Sequence, residues 1–166
     1  DVYVPAVTLW RKNAGSSGWQ IAAGAHADVH DLVFGNTGRR YLACDGGVYR
    51  NEPGQMSWIK SKNLPTTQCY HTTYNPNTPD VYFLGAQDNG IQKGNGQGIN
   101  NWVSVFSADG FHCAFLPTTA DTFWIEIQNG NVYKTNDGGD SWQYGQPALG
   151  SNDRVNWDMP FFISKH

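Results

Sequence analysis

The sequence predicts an all-β protein built from repeated four-stranded antiparallel units, and three observations carry that prediction. Aromatic residues make up 14% of the chain and glycines number 19, so bulky strand formers alternate with turn formers. Glutamate and methionine occur only twice each, and no long segment places apolar residues at helical spacing. Short motifs recur in step along the chain, at intervals of about 40 residues.

The repeat fixes the elements. A turn followed by a strand reads Asp45-Gly46-Gly47-Val48-Tyr49, then Asp88-Asn89-Gly90-Ile91, then Asn129-Gly130-Asn131-Val132-Tyr133, with first residues 43 and 41 apart. A tryptophan follows each turn, at Trp58, Trp102 and Trp142, and Trp19 precedes the first of them by 39 residues. A period of roughly 40–45 residues made of strand signals alone is that of a four-stranded propeller blade. The predicted strands are 30–35, 39–45, 47–51 and 57–62; then 70–75, 80–87, 90–94 and 101–106; then 111–116, 122–128, 131–135 and 141–145. Residues 158–163 read as the first strand of a further blade. The units are thus 1–25 (partial), 26–66, 67–108, 109–150 and 151–166 (partial), all expected within a single propeller domain. Closing a ring takes four to eight blades, and open blades leave strand edges unpaired. The chain is therefore expected to be a fragment of a larger propeller, partnered by remaining blades of the same chain. Trp58, Trp102 and Trp142 are expected at equivalent positions, each substantially buried.

Charge and composition narrow the function classes. The net charge is −3 and the basic residues are scattered, so no nucleic-acid partner is expected. No apolar run is long enough to span a bilayer. The opening DVYVPAVTLW reads as a strand rather than a leader, so the numbering is expected to begin inside a fold. Cys44, Cys69 and Cys113 are odd in number, and Cys44 and Cys113 lie in apolar runs, so buried free thiols are expected there. No Cys-x-x-Cys pair occurs, and neither metal nor cofactor is expected.

Thr135-Asn136-Asp137-Gly138-Gly139-Asp140-Ser141-Trp142 matches the aspartate-box pattern Ser/Thr-x-Asp-x-Gly-x-Ser/Thr-Trp. The physical logic is local. Asp137 can bind backbone N–H groups of its own turn, Gly139 allows the bend, and Trp142 covers the hairpin. Thr135, Asp137, Gly139, Ser141 and Trp142 are therefore assigned a structural role. Asn51 to Trp58 and Gly96 to Trp102 carry decayed versions of the same pattern.

Together with His26-Ala27-Asp28-Val29-His30-Asp31-Leu32, Cys44 to Arg50, Gly85 to Gly90 and Arg154 to Pro160, these motifs resemble the BNR, or aspartate-box, propellers. That group includes sortilin-like, sialidase-like and xyloglucanase-like members of secreted bacterial proteins. The resemblance implies a secreted or cell-surface location. It also implies that the box staples the outer edge, away from any site.

In a propeller the first strand of each blade lines the central channel. Aligning those strands on Phe34, Tyr74 and Phe115 sets Asp28, Gln68 and Asp109 at equivalent positions. It also sets His30 with Tyr70 and Phe111, and His71 with His112. The His26-x-Asp28-x-His30 triple would share one face of a strand. His26, Asp28, His30, Gln68 and Asp109 are therefore the candidate ligand-binding residues at the channel mouth, for a protein or polysaccharide partner. Only five arginines occur and no Arg-Ile-Pro motif is present, which disfavours a sialidase. A xyloglucanase-like glycosidase would need two carboxylates, for which Asp28 and Asp109 are weak candidates, while Glu126 in TFWIEIQ reads as structural. A binding or surface-display role is favoured over hydrolysis.

Overall fold

A computed structural model describes residues 1–22, 24–62, 64, 66–99, 101–145, 149–150 and 152–164. These residues are all-β, with no α-helix and a single 3-10 turn at Gln128–Gly130. They divide into two compact units, Asp1–Thr66 and Thr67–His166.

The first unit opens on a three-stranded antiparallel sheet, β1 (Val2–Val4), β2 (Trp10–Lys12) and β3 (Gln20–Ile21). Blade 1 follows as β4 (Val29–Phe34), β5 (Arg40–Cys44), β6 (Gly47–Asn51) and β7 (Ile59–Lys60), hydrogen-bonded in chain order. Leu9, Val29, Leu42, Cys44 and Trp58 form its buried core, with Tyr3 and Tyr49 against them.

The second unit holds two blades. Blade 2 is β8 (Cys69–Asn75), β9 (Thr78–Ala86), β10 (Gly90–Asn95) and β11 (Val103–Phe106). Blade 3 is β12 (Gly110–Phe115), β13 (Phe123–Ile127), β14 (Asn131–Thr135) and β15 (Gln143–Tyr144). Phe83, Ile91, Cys113, Phe115, Phe123 and Ile125 form one core shared by both blades. The blades approach so closely that a Cβ on Gly85 would lie 1.8 Å from the Phe111 carbonyl oxygen, so only glycine fits there.

All twelve strands predicted for the three full units are present, shifted by a few residues at their ends. Each blade is a meander of consecutive antiparallel strands, the build of a propeller blade. The further strand expected at 158–163 is not formed. That segment makes no ladder and is held instead by side chains and two backbone contacts.

The three tryptophans do fall at equivalent positions, each immediately before the fourth strand of its blade. Their burial differs, which corrects the expectation that all would be covered. Trp58 is 8% exposed, Trp142 is half-buried on the Phe106 and Phe123 rings, and Trp102 is 43% exposed. Opposite Trp102 stands Gly94, where a Cβ would lie 2.6 Å from the indole. Blade 2 therefore lacks the Asn51 or Thr135 side chain that organises the turn beneath the other two rings.

Candidate functional site

The strand registers place the predicted residues. The first pairs of the three blades are Val29 with Cys44, Cys69 with Ala86, and Gly110 with Ile127, each followed by a bulge. Asp28, Gln68 and Asp109 are the residues just before these pairs, so the alignment holds blade by blade. Within the second unit, equivalent residues also meet. Tyr70 and Phe111 stack edge-on at 4.9 Å, and the His71 and His112 rings at 5.1 Å.

The His26-x-Asp28-x-His30 triple does not form a strand face. Asp28 has φ 57 and lies outside β4, its amide bonded to the Val7 carbonyl at 2.8 Å, so strand alternation does not apply. His26 covers Gly46, and its Nδ1 lies 3.2 Å from the Ala27 carbonyl oxygen. His30 is exposed and its Nε2 pairs with the Asp45 carboxylate. Asp28 is exposed.

In the second unit Gln68 is exposed, whereas Asp109 serves as a brace. Its Oδ1 accepts the Asp88 amide at 2.8 Å, and its own amide donates to Gln128 Oε1 at 3.0 Å. Asp88 has φ 61, so this carboxylate pins a left-handed turn of blade 2 to the start of blade 3.

The turn from Thr135 to Trp142 is held by side-chain hydrogen bonds of its own residues. Asp137 Oδ1 accepts the Ser141 amide at 2.9 Å, and Oδ2 accepts the Ser141 hydroxyl. Thr135 Oγ1 donates to Asp137 Oδ1 at 2.7 Å and accepts the Gly139 amide at 3.0 Å. Gly139 supplies the bend at φ 107. The Ser141 and Thr135 hydroxyls, with the Ser141 amide, hold Asp137 well below the usual carboxylate range. In blade 1 the fully buried Asn51 holds the turn, donating to the Gln55 and Ser57 carbonyls at 3.1 and 2.6 Å, and Arg40 also donates to the Gln55 carbonyl at 3.4 Å.

Sequence reasoning set His71 with His112 and Tyr70 with Phe111, but missed two wider features. The first is a titratable cluster on β8, β12 and β13. His71 Nε2 pairs with Asp158 Oδ2 at 2.7 Å, and Glu126 is 0% exposed with Oε1 accepting the Met159 amide. Burial pushes the Glu126 carboxyl up to about 7, and burial followed by His71 lowers His112. The second is the aromatic exposure of the first strands. Phe34 on β4 is 58% exposed and Tyr74 on β8 is 56% exposed, with Tyr70 on the same strand. Tyr70 donates to Gln87 Oε1 at 2.7 Å, which fixes its ring. Both features could have been sought in the unmatched polar residue of TFWIEIQ and in the aromatic ends of β4 and β8.

Cys44, Cys69 and Cys113 are free, with Cys44 and Cys113 buried as expected, and burial raises both of their thiols. Among the described residues no group of three or more ligating side chains is arranged for a metal, and no helix is long and apolar enough to cross a membrane.

No protein-family model and no curated protein matches the chain. Among solved structures it is similar to YCF48 bound to D1 peptide, at 18% identity and a TM-score of 0.38, over 86% of this chain and 49% of that one. It is similar to an ancestral GH74 enzyme at 22% identity and a TM-score of 0.46, over 80% of this chain and 20% of that one. A GH74 enzyme of Niastella koreensis gives 12% identity and a TM-score of 0.39, over 86% and 27%. The chain thus spans half or less of each of these three structures. At such identities the likeness concerns fold alone, and no residue role passes from them to this chain.

Proposed function

We propose that this chain is part of a larger β-propeller that acts as a secreted or cell-surface binding module for a protein or polysaccharide partner. The observation that carries this reading is the exposure of aromatic side chains along the first strands, Phe34 on β4 and Tyr70 and Tyr74 on β8. Exposed tyrosines supply large contact area at low entropy cost, and Tyr70 and Tyr74 share one strand. In each unit the lead-in residue to the first strand, Asp28 or Gln68, is exposed as well and would add polar contacts. The carboxylates support binding better than hydrolysis. Asp109 is committed to the Asp88 amide, and Glu126 is sealed from solvent. The location rests on the aspartate-box resemblance.

A binding screen tests the proposal. The chain is immobilised and challenged with xyloglucan, other plant polysaccharides and a displayed peptide library. The Tyr70→Ala/Tyr74→Ala double variant should lose at least about tenfold in affinity for whatever binds, at unchanged circular dichroism. Undiminished affinity in that variant would remove the first strand of blade 2 from the binding surface.

A further inference from the structure

Residues Trp157 to Phe161 lie across β12 and β13 without joining the sheet. Four side chains and two backbone groups seat them. The Trp157 ring meets Phe111 edge-on at 5.9 Å, and its carbonyl accepts the Asn129 amide at 3.1 Å. Asp158 pairs with His71 at 2.7 Å. The Met159 amide donates to Glu126 Oε1, while its sulfur lies 3.0 Å from where a Cβ on Gly130 would stand. Phe161 stacks edge-on against His112 at 5.4 Å.

The odd member of this set is Glu126. It is completely buried, yet its Oε2 has no hydrogen-bond partner of normal geometry among the described residues. A neutral carboxyl tolerates that situation, whereas an ionised one is penalised for lost solvation. The Met159 amide of the segment itself donates to Oε1, beside the His112 amide of β12, so the segment lies against the carboxyl and takes one of its contacts from it.

We propose that residues 157–161 form a strap controlled by protonation of Glu126, seated when the carboxyl is neutral and released when it ionises. The groups facing Glu126 are His71 from β8, His112 from β12, and Asp158 and Met159 from the strap. Burial raises Glu126 most, Asp158 adds to the rise, and the Met159 amide, His71 and the His112 amide oppose it. Seated, Glu126 titrates at about 7; released into water it would return to its ordinary 4.5. The seated state therefore holds the extra proton between these values. Its stabilisation is complete below the lower value and is lost as pH rises through the upper one. His112 works the other way. Its lowered pKa weakens seating as pH falls below the ordinary histidine value, so the two limbs are separable. The strap's behaviour does not depend on which partner the first strands bind.

Amide exchange of Met159, corrected for intrinsic rate and followed on the whole chain, reads the strap directly. Protection should fall at least about tenfold between about pH 5 and about pH 8. In Glu126→Gln the fall should vanish, leaving only the opposing trend of His112, while amides of the β12–β13 ladder keep their protection. Should Glu126→Gln fail to fold, His112→Phe removes the opposing group and must retain the fall. Protection that is flat or rises with pH in the native chain overturns the proposal, as does a fall that survives Glu126→Gln or is lost in His112→Phe.

Discussion

In blade 3, Trp142 sits over a turn wired through five side-chain contacts of Thr135 and Asp137; in blade 1, Trp58 sits over a turn wired through two amide hydrogens of Asn51. Both rings are at the same register position, yet the polarity of the wiring is reversed. Asp137 accepts from a backbone N–H group, whereas Asn51 donates to backbone carbonyls. What the blades share is a covered turn before the fourth strand rather than one set of atoms. Blade 2 differs again: Gly94 has no side chain at the matching register position, Asn95 Oδ1 accepts the Gln97 amide at 3.1 Å in the turn, and Trp102 stays 43% exposed.

Substitutions break this comparison in graded steps. The largest effect belongs to the core on which Trp142 rests. Phe123 is 1% exposed and touches Phe83, Phe115 and Trp142. Phe123→Ala should cost about 3–5 kcal/mol in denaturant unfolding. Next comes Trp142→Ala, at about 2–3 kcal/mol for a half-buried ring, against about 1 kcal/mol or less for the exposed Trp102→Ala. Equal costs for the two would show that position, not cover, governs their role. Asn51→Ala should cost about 1–3 kcal/mol by removing the buried amide that donates to the Gln55 and Ser57 carbonyls. Asn51→Asp should cost more still, because a carboxylate would face the Gln55 and Ser57 oxygens; a milder effect than alanine would refute the donor role.

The smallest step is a pH effect. Because Asp137 is held below its ordinary value of 3.8, its contribution is fully present above that value and is lost as pH falls through the lower, folded one. Thermal unfolding of the native chain should therefore lose ground below about pH 4 relative to Asp137→Asn. Parallel melting profiles for the two proteins would show that the carboxylate carries no turn stability.

Much of the architecture was legible because two periodicities are strong. The turn motifs at Asp45, Asp88 and Asn129 and the tryptophans fix blade boundaries, and alternation along runs such as TFWIEIQ fixes the strands. The site was less legible for reasons that can be named. His26, Asp28 and His30 are spaced as a strand face, but Asp28 takes a left-handed conformation that spacing does not reveal. Asp109 occupies the predicted position yet braces Asp88, a contact made across two blades. The pairing of His71 with Asp158 spans 87 residues and has no local signal at all.

On the proposed function, exposed aromatic residues bind while the nearby carboxylates hold the fold. One measurement sets these roles against each other: reducing-end release and affinity, recorded together on xyloglucan and on the partners found by screening. The expected result is no new reducing ends, a loss of at least about tenfold in affinity for Tyr70→Ala/Tyr74→Ala, and little change for a folded Asp109→Asn. Release of reducing ends that persists in the tyrosine variant and disappears in Asp28→Asn or Asp109→Asn would contradict it.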